Sequence, residues 1–457
     1  MDPRKILEPF PFAVTEENRV EILNRMVVPL HDTPYEEQLS AKESYCRNSL
    51  RYVSQQLYRM GTPVRLDAAR LPCKVDRMIP SPQLYKYRNT DDISIWYGLD
   101  GKTITAGYNA FPIGKHGDTV TMEPNGCLAM KDETIRLIDK IQEFLRTQTK
   151  LISFSLGQQG GWRAFKIFTN LNNELMLTGH LNPRTLKVRE VIDDRDRFRD
   201  FMVKRCQEDG LKLESLYYQP CPHSFCKHED VPYELLYGKP TLTEQIGKYI
   251  FLISPDSYNH QSSIGAEVLF DTVLKTVKDC FLDDSYRESV NARKKPVILD
   301  AQSGSGMLSI HLSELASRVI GIDYRSLSIA NAKSSAELNG VSNCEFINSS
   351  LEVSLERIAE KYCRKEEHEM LVVCDIGPRG LHGSVIEALR DCDCIKKLVL
   401  VTSKIDSPRV QETLIGLCSK GKARSLPPFA PILATPVDVC PLTEMFYTVL
   451  AFERVPQ

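Results

Sequence analysis

No apolar run in this chain approaches the ~20 residues that a membrane-spanning helix needs. No Cys-x-x-Cys pair is present, which removes the usual sequence sign of an iron–sulfur centre or zinc ribbon. The formal net charge is −2, so the chain does not coat nucleic acid by bulk electrostatics, although a local basic cleft stays open. Internal repeats and low-complexity tracts are absent. The start, Met1-Asp2-Pro3-Arg4-Lys5, lacks a secretory apolar region, and Glu8, Glu16, Glu17 and Glu21 are foreign to acid-poor mitochondrial presequences. Neither a signal peptide nor a clear transit peptide is expected.

What is there is ordinary globular composition, 42% hydrophobic and 26% charged over 457 residues, enough for two or three domains with real cores. The 14 cysteines sit mostly in apolar runs, such as Cys374 in Leu371-Val372-Val373-Cys374 and Cys418 after Leu417. That usage suits a reducing compartment with thiols as small hydrophobes. Cys221-Pro222-His223-Ser224-Phe225-Cys226-Lys227-His228 gathers zinc donors at spacings too tight for the usual structural sites. It reads as a loop, and no metal is expected.

Three patterns follow one another. Residues 1–71 read as an N-terminal helical segment: Thr33 as N-cap, Pro34 at the first helical position and Glu36 as capping-box acid, then Leu39, Cys46, Leu50, Val53 and Leu57 at helical spacing up to Gly61. Residues 72–245 read as an α+β domain. Its β-like runs are Ile93–Tyr97, Thr103–Gly107, Leu151–Ser155 and Ala164–Phe168, with helices around Thr134–Thr147 and Asp194–Asp209. From 246 to 457, after a helix at Ala266–Phe281 and a polar link from Asp284 to Pro296, buried strands alternate with helices. The strands are Val297–Asp300, Arg318–Asp323, Cys344–Ile347, Met370–Asp375 and Lys397–Thr402. That is a parallel sheet covered on both faces. Thr435–Asp438 and Phe446–Phe452 then suggest an antiparallel closing hairpin, which points to a Rossmann-like class I methyltransferase α/β fold rather than a dehydrogenase.

The turn after the first of these strands, Ile298-Leu299-Asp300-Ala301-Gln302-Ser303-Gly304-Ser305-Gly306, lets backbone pass close to a ligand. Asp300 can meet the amino group of a methionine moiety. Asp323, ending the second strand, can accept ribose hydroxyls. A dinucleotide site wants a third glycine where Ser309 stands. The pattern favours an S-adenosylmethionine-type site, the bland alternative being a nucleotide fold that binds nothing.

The order of motifs resembles the tRNA (uracil-5-)-methyltransferase family, over about Pro34 to Arg454. Ile253-Ser254-Pro255-Asp256-Ser257-Tyr258 with Gly265-Ala266-Glu267 is similar to that family's "SPxxFFQ…GAE". Asp375-Ile376-Gly377-Pro378-Arg379-Gly380-Leu381 is similar to "DPPRxGL", Leu400–Lys404 to "YVSCN" or "VSCK", and Val437–Thr443 to "VDxFPHT", which precedes the family's "HxE". Ile79-Pro80-Ser81-Pro82, Tyr87-Arg88-Asn89, Asp100-Gly101 and the helix start Pro34–Leu39 fit as well. The resemblance is to the animal branch that includes the mitochondrial homolog, which leaves the compartment mitochondrial or cytoplasmic.

The resemblance implies a mechanism. Uracil C5 is a poor nucleophile; in the family a cysteine thiolate adds to C6, C5 takes the methyl group, and a carboxylate removes the C5 proton. Here the cysteine position holds Ser403 and the carboxylate position Tyr447. A hydroxyl is far less ionised than a thiol of pKa ~8.5, and tyrosine, titrating near ~10, is a weak base at pH 7. Lys404 is the one adjacent group that could activate Ser403, and Glu444 on a strand would face away from Tyr447. Further departures are His260 for the family's glutamine, with Gln261 one place late, Gln302 and Met307 around the loop, and Pro378 for arginine, with Arg379 one place late. The cofactor set implied is His260, Asp300, Gln302, Gly304, Gly306, Met307, Asp323 and Asp375. Two other cysteines could replace Ser403: Cys374, from the segment that supplies the nucleophile in some cytosine-directed enzymes, and Cys440. Each also has a plain packing role.

For RNA, Tyr85, Lys86, Tyr87, Arg88, Trp162-Arg163 and Tyr217-Tyr218 pair aromatics with basic neighbours, as unstacked bases and phosphates require, or else Trp162 and Tyr217 pack the core. The basic residues from Lys187 to Arg205 are interleaved with acids and read as a solvated helix face. Three readings stand: a degenerate tRNA uracil-5-methyltransferase that still binds RNA and S-adenosylmethionine, an active enzyme with a relocated nucleophile, and an interaction scaffold with an empty cofactor pocket.

Overall fold

The computed structural model describes residues 13–62, 64–110, 119–152, 160–222, 231–282, 295–365, 370–420 and 426–454. The polar link expected from Asp284 to Pro296 falls almost wholly outside them. So do His223, Cys226 and His228 of the tight donor cluster, and most of the strand expected at Leu151–Ser155, of which Ile152 bridges to Trp162. The chain divides into two compact units, Met1–Asp32 with Gln83–Glu244 and Ile253–Ser263, and Thr33–Pro82 with Gln245–Leu252 and Ile264–Gln457. These are interleaved in sequence, where consecutive segments of 1–71, 72–245 and 246–457 are expected.

The first unit is a sheet in the order Val120–Met122, Ile104–Ala110, Thr90–Tyr97, Gly161–Thr169, Glu174–Asn182, Lys212–Pro220 and Glu234–Gly238. Neighbours are antiparallel except Glu174–Asn182 with Lys212–Pro220, a parallel pair joined through the helix Val188–Glu208, as a parallel connection requires. Phe144 of helix Asp132–Thr147, Trp162, Phe165 and Phe198 stack in its core. A further helix, Arg19–Val27, is fixed by Asn24, which donates to the Gly126 carbonyl and accepts from the Leu128 amide.

The second unit is a mixed sheet in the order Lys74–Val75, Phe429–Val437, Tyr447–Arg454, Ile395–Thr402, Met370–Asp375, Val297–Asp300, Arg318–Asp323 and Cys344–Asn348. The last five are mutually parallel, and Tyr447–Arg454 pairs antiparallel with both Ile395–Thr402 and Phe429–Val437. The class I methyltransferase architecture and its closing hairpin are therefore present. The strands' central residues are apolar, with Ile298, Leu299, Val372, Val373, Leu398 and Val399 all fully buried.

The helix Tyr35–Arg59 packs in this second unit, its Leu39, Cys46, Leu50, Val53 and Leu57 stripe joining the core. Pro34 takes the cap position and Tyr35 the first turn, one residue later than the Thr33 cap predicts; such ends shift by a residue easily. Within the apolar face sits a cation that periodicity does not reveal. Lys42, 3% exposed, donates to Asp438 Oδ1 at 2.8 Å, and Tyr35 donates to Asp438 Oδ2 at 2.8 Å. Gln38 Oε1 accepts from the Leu442 amide. The helix thus holds the turn between the last two strands.

Removing one partner of such a pair strands a charge in low dielectric. Lys42→Met is expected to lower stability by about 3–5 kcal/mol, and Lys42→Met with Asp438→Leu to recover most of it. Urea denaturation of the two variants checks this; equal losses in both would refute it.

Candidate functional site

The site grows out of sheet register. Asp300 ends the central strand and pairs with Gly321 on one side and Val373 on the other. Each flanking strand runs two residues further, to Asp323 and Asp375, so both acids share the face of Asp300. The result is a notch over the end of the central strand, walled by two carboxylates with a third at its floor. It lies where the strand order reverses, the place at which open α/β sheets bind ligands. The same step repeats on the next strand. Asp375 pairs with Val401, so Ser403 stands two residues beyond. Thr402 pairs with Thr448, which by continuation of that register sets Ser403 opposite Tyr447. Asp323, Asp300, Asp375, Ser403 and Tyr447 therefore line one edge of one sheet.

The acids feel one another. Burial, then the neighbouring Asp375 and Asp323, push the Asp300 carboxyl up to about 7 against the opposing Ser309 and backbone hydrogen bonds. Burial raises Asp375 to about 6 although the Gly377 amide donates to its Oδ1 at 3.1 Å. Asp323 accepts from the Gly304 amide at 3.1 Å and from Arg325, both backbone and guanidinium.

The loop is shaped by two glycines with positive φ, Gly304 at 53° and Gly306 at 79°. A Cβ on Gly306 would meet Ala332 at 2.8 Å and Phe346 at 2.9 Å, so this glycine is packing. A Cβ on Gly304 would meet nothing within 4 Å, so this one faces open space. Gln302 is exposed at the turn and Met307 is buried at the start of the helix Met307–Leu312. Ser303 carries a buried hydroxyl oxygen with no hydrogen-bond partner. Three acids, an orphaned hydroxyl and an open glycine fit a ligand that brings positive charge and hydroxyl donors, which is the chemistry of S-adenosylmethionine.

The roles of three residues here escape the sequence reading. Ser309, in place of a dinucleotide site's third glycine, is fully buried and donates to Asp300 Oδ2 at 2.6 Å. It fills the space in which helix and strand would otherwise close up. Arg325 on Asp323 and the orphan Ser303 are the others; a small polar residue between Leu308 and Ile310 is the one signal that could have been read.

His260 belongs to the first unit, buried beside the Tyr258 ring, its basicity lowered to about 4 by burial. Ser403 is half-buried and Tyr447 buried at the start of its strand. Glu444 is exposed in the bend before that strand rather than on it. Cys374 is fully buried in its strand, its thiol raised well above the usual range by burial, and Cys440 is 2% exposed. Neither has the exposure of a nucleophile.

The candidate RNA contacts divide. Trp162 is core: its indole donates to Asp194 at 2.7 Å. Tyr217 is buried and donates to the Pro240 carbonyl, and Tyr87 and Tyr218 are buried too. Lys86 pairs with Asp132, Arg88 with Asp91, and Arg163 donates to the Cys221 carbonyl. Of these aromatics Tyr85 is the exposed one. The basic stretch is a self-paired helix face, with Arg195, Arg197, Arg199 and Arg205 all held by acids.

Known proteins agree with this geometry. Residues 292–377 match a family described as a methyltransferase domain. The chain is 29% identical over 438 residues to a Danio rerio "tRNA (uracil-5-)-methyltransferase homolog B", covering 95% of this chain and 87% of that protein. It is 25% identical to the Mus musculus "tRNA (uracil-5-)-methyltransferase homolog A", over 94% and 69%. The crystal structure of Pyrococcus abyssi tRNA (uracil-54, C5)-methyltransferase with S-adenosyl-L-homocysteine superposes with a TM-score of 0.56 at 18% identity, over 92% of this chain and 83% of that one, and so shares its fold. Over nearly its full length the chain is similar to members of the tRNA (uracil-5-)-methyltransferase family.

Proposed function

We propose that this chain binds tRNA and S-adenosylmethionine and is impaired in methyl transfer to C5 of uridine. One observation carries the reading: an acid-lined notch suited to a cationic cofactor shares its sheet edge with Ser403 and Tyr447, at the positions of nucleophile and base. Bound S-adenosylmethionine supplies an electrophilic methyl group. Asp300 would receive its ammonium and Asp323 its ribose hydroxyls, with Gln302, Gly304, Gly306 and Met307 forming the loop around it and Asp375 the opposite wall. Further along, Ser403 offers an alcohol where addition to C6 needs a thiolate, and Tyr447 a phenol where removal of the C5 proton needs a carboxylate. The burial of Cys374 and Cys440 weighs against a relocated nucleophile, and the three crowded acids weigh against a pocket with no ligand.

An ammonium beside Asp300 favours its ionised form, so binding is coupled to loss of a proton. Below about pH 7 that proton must leave, and affinity falls roughly tenfold per pH unit; above pH 8 it levels off. Calorimetry with S-adenosylmethionine across pH 6–8.5 reads this, and a flat profile with micromolar binding would contradict the role of Asp300. Asp300→Asn is expected to remove the pH dependence and weaken binding at least ~10-fold.

The same carboxyl sets a stability trend. Its folded pKa lies above the ordinary carboxylate value, so the folded chain holds the proton more tightly, and that advantage is lost as pH rises through about 7. Asparagine cannot ionise. Asp300→Asn should therefore stabilise the ligand-free chain by about 1–2 kcal/mol at pH 8 and by much less at pH 5, as denaturant titration will tell.

For the chemistry, labelled S-adenosylmethionine and unmodified tRNA are the assay. The wild-type chain is expected to give little C5-methyluridine, and the Ser403→Cys, Tyr447→Glu double variant to give more. Robust product from the wild type refutes impairment. Product from neither, with cofactor bound, shows that the two positions are not the cause.

A further inference from the structure

Outside the notch, one group of side chains has chemistry that the methyltransferase reading does not use. Cys392 ends the helix Gly383–Asp391, and the turn Cys392-Asp393-Cys394 leads directly into the strand Ile395–Thr402. The turn brings two sulfurs and a carboxylate together: the Cys392, Asp393 and Cys394 donor atoms all lie within 4.8 Å of one another. A third sulfur comes from a separate element. Cys363, on the π-helical segment Ala359–Lys365, neighbours the Cys394 sulfur, although it lies outside the 4.8 Å group. The Cys394 thiol in turn approaches Asp393 Oδ1 at 3.5 Å.

We propose that Cys363, Cys392, Cys394 and Asp393 form a binding site for a thiophilic divalent cation, zinc being the one that this donor set suits best. Three sulfurs and one carboxylate oxygen match the soft-to-borderline preference and the four-coordination of structural zinc. A tetrahedral centre with Zn–S bonds of about 2.3 Å has sulfur–sulfur edges of about 3.8 Å, so the Cys392, Asp393 and Cys394 donors need to close by about an ångström, and Cys363, outside that group, has to come further in.

Two surrounding features favour the thiolate form that metal binding requires. Backbone N–H groups of Cys394 and Ile395 point at the Cys392 sulfur. Positive charge is close: Arg364 Nη2 donates to Asp393 Oδ1 at 3.1 Å, and Arg454 Nη2 donates to the Cys392 carbonyl at 2.9 Å. Three thiolates and a carboxylate around Zn²⁺ carry a net −2, which these guanidiniums offset. Without metal the thiols hold their protons, burial pushing Cys392 up to about 11 and Cys363 to about 12. Binding therefore releases protons and strengthens with pH. The metal would tie the helical end at Cys363 to the start of the strand whose other end carries Ser403.

The test uses the full, untagged chain, reduced, loaded with zinc and dialysed, with the metal counted by mass spectrometry. Cobalt substitution then reports thiolate ligation through its sulfur-to-metal charge-transfer band. About one zinc per chain and a charge-transfer band are expected. Cys394→Ser and Cys363→Ser should each weaken zinc at least ~100-fold and Asp393→Asn about tenfold, while Cys344→Ser, remote in sequence and in strand, keeps wild-type binding. Thermal melting of each zinc-free variant confirms that it has folded. No bound zinc in the reduced wild-type chain overturns the proposal. So does zinc kept at wild-type stoichiometry by a folded Cys363→Ser, Cys394→Ser double variant, since the ion then sits elsewhere. A Cys363–Cys394 disulfide persisting in glutathione buffer with zinc present overturns it as well.

Discussion

Like charge crowded into one notch is the constraint around which the second unit is arranged. Asp300, Asp323 and Asp375 end three adjacent parallel strands that, apart from the exposed Arg318 at the start of one, are apolar and buried. The strands are locked by their hydrogen-bond ladders and by close packing on both faces, so the acids cannot move apart. What the fold supplies instead is partial relief: Ser309 on Asp300, the Gly304 amide and Arg325 on Asp323, the Gly377 amide on Asp375. The relief is incomplete: burial, helped at Asp300 by the neighbouring acids, still raises the Asp300 and Asp375 carboxyls. A ligand carrying positive charge completes it, and that is how an apolar sheet comes to select a cation at its edge.

The parts of the fold that are readable from sequence are those in which one physical cause dominates. Val297–Asp300, Arg318–Asp323 and Met370–Asp375 stand at their expected limits because buried parallel strands are uninterrupted apolar runs ending at an acid. The first unit hides its strands. Glu174–Asn182 and Lys212–Pro220 bury polar residues such as Thr178, His180, Asn182, Ser215 and Gln219, and His180 and Gln219 hydrogen-bond each other across the pair at 2.9 Å. Alternation fails as a signal when polar residues inside are satisfied by partners far away in sequence. Trp162 reads either as core or as a stacking platform, and the structure places it in the core, where its partner Asp194 lies on a helix in which every neighbouring charge suggests solvent. Lys42 is the extreme case, a buried cation whose acid lies near the other end of the chain.

At the candidate site, motif order names residues and does not give their arrangement. Motif order identifies Asp300, Asp323, Asp375, Ser403 and Tyr447 one by one. That they form a single row follows only from strand order and a repeated two-residue overrun, neither of which is written in the sequence. The thiol cluster at Cys363, Cys392 and Cys394 shows the same limit, since a Cys-x-Cys turn gains its third sulfur from an element that spacing does not connect to it.

The positions that depart from the family pattern and those that keep it differ in what they cost the fold. Ser403 for a cysteine and Tyr447 for a carboxylate relieve the structure: a small hydroxyl replaces a thiol, and a phenol replaces a charge on a buried strand end. The retained acids do the opposite. Each is a carboxylate in a poorly solvated place, beside others of like sign, and an uncharged isostere at Asp300 would fold more easily. Strain of this kind accompanies sites that meet a ligand, because the ligand's charge is what makes the arrangement favourable. On the proposed function, the costly half of a methyl-donor site is kept and the half that is cheap to lose is gone. That asymmetry supports a protein that still binds its cofactor after its chemistry has lapsed, and it weighs against a bare scaffold, in which both halves would be free to go.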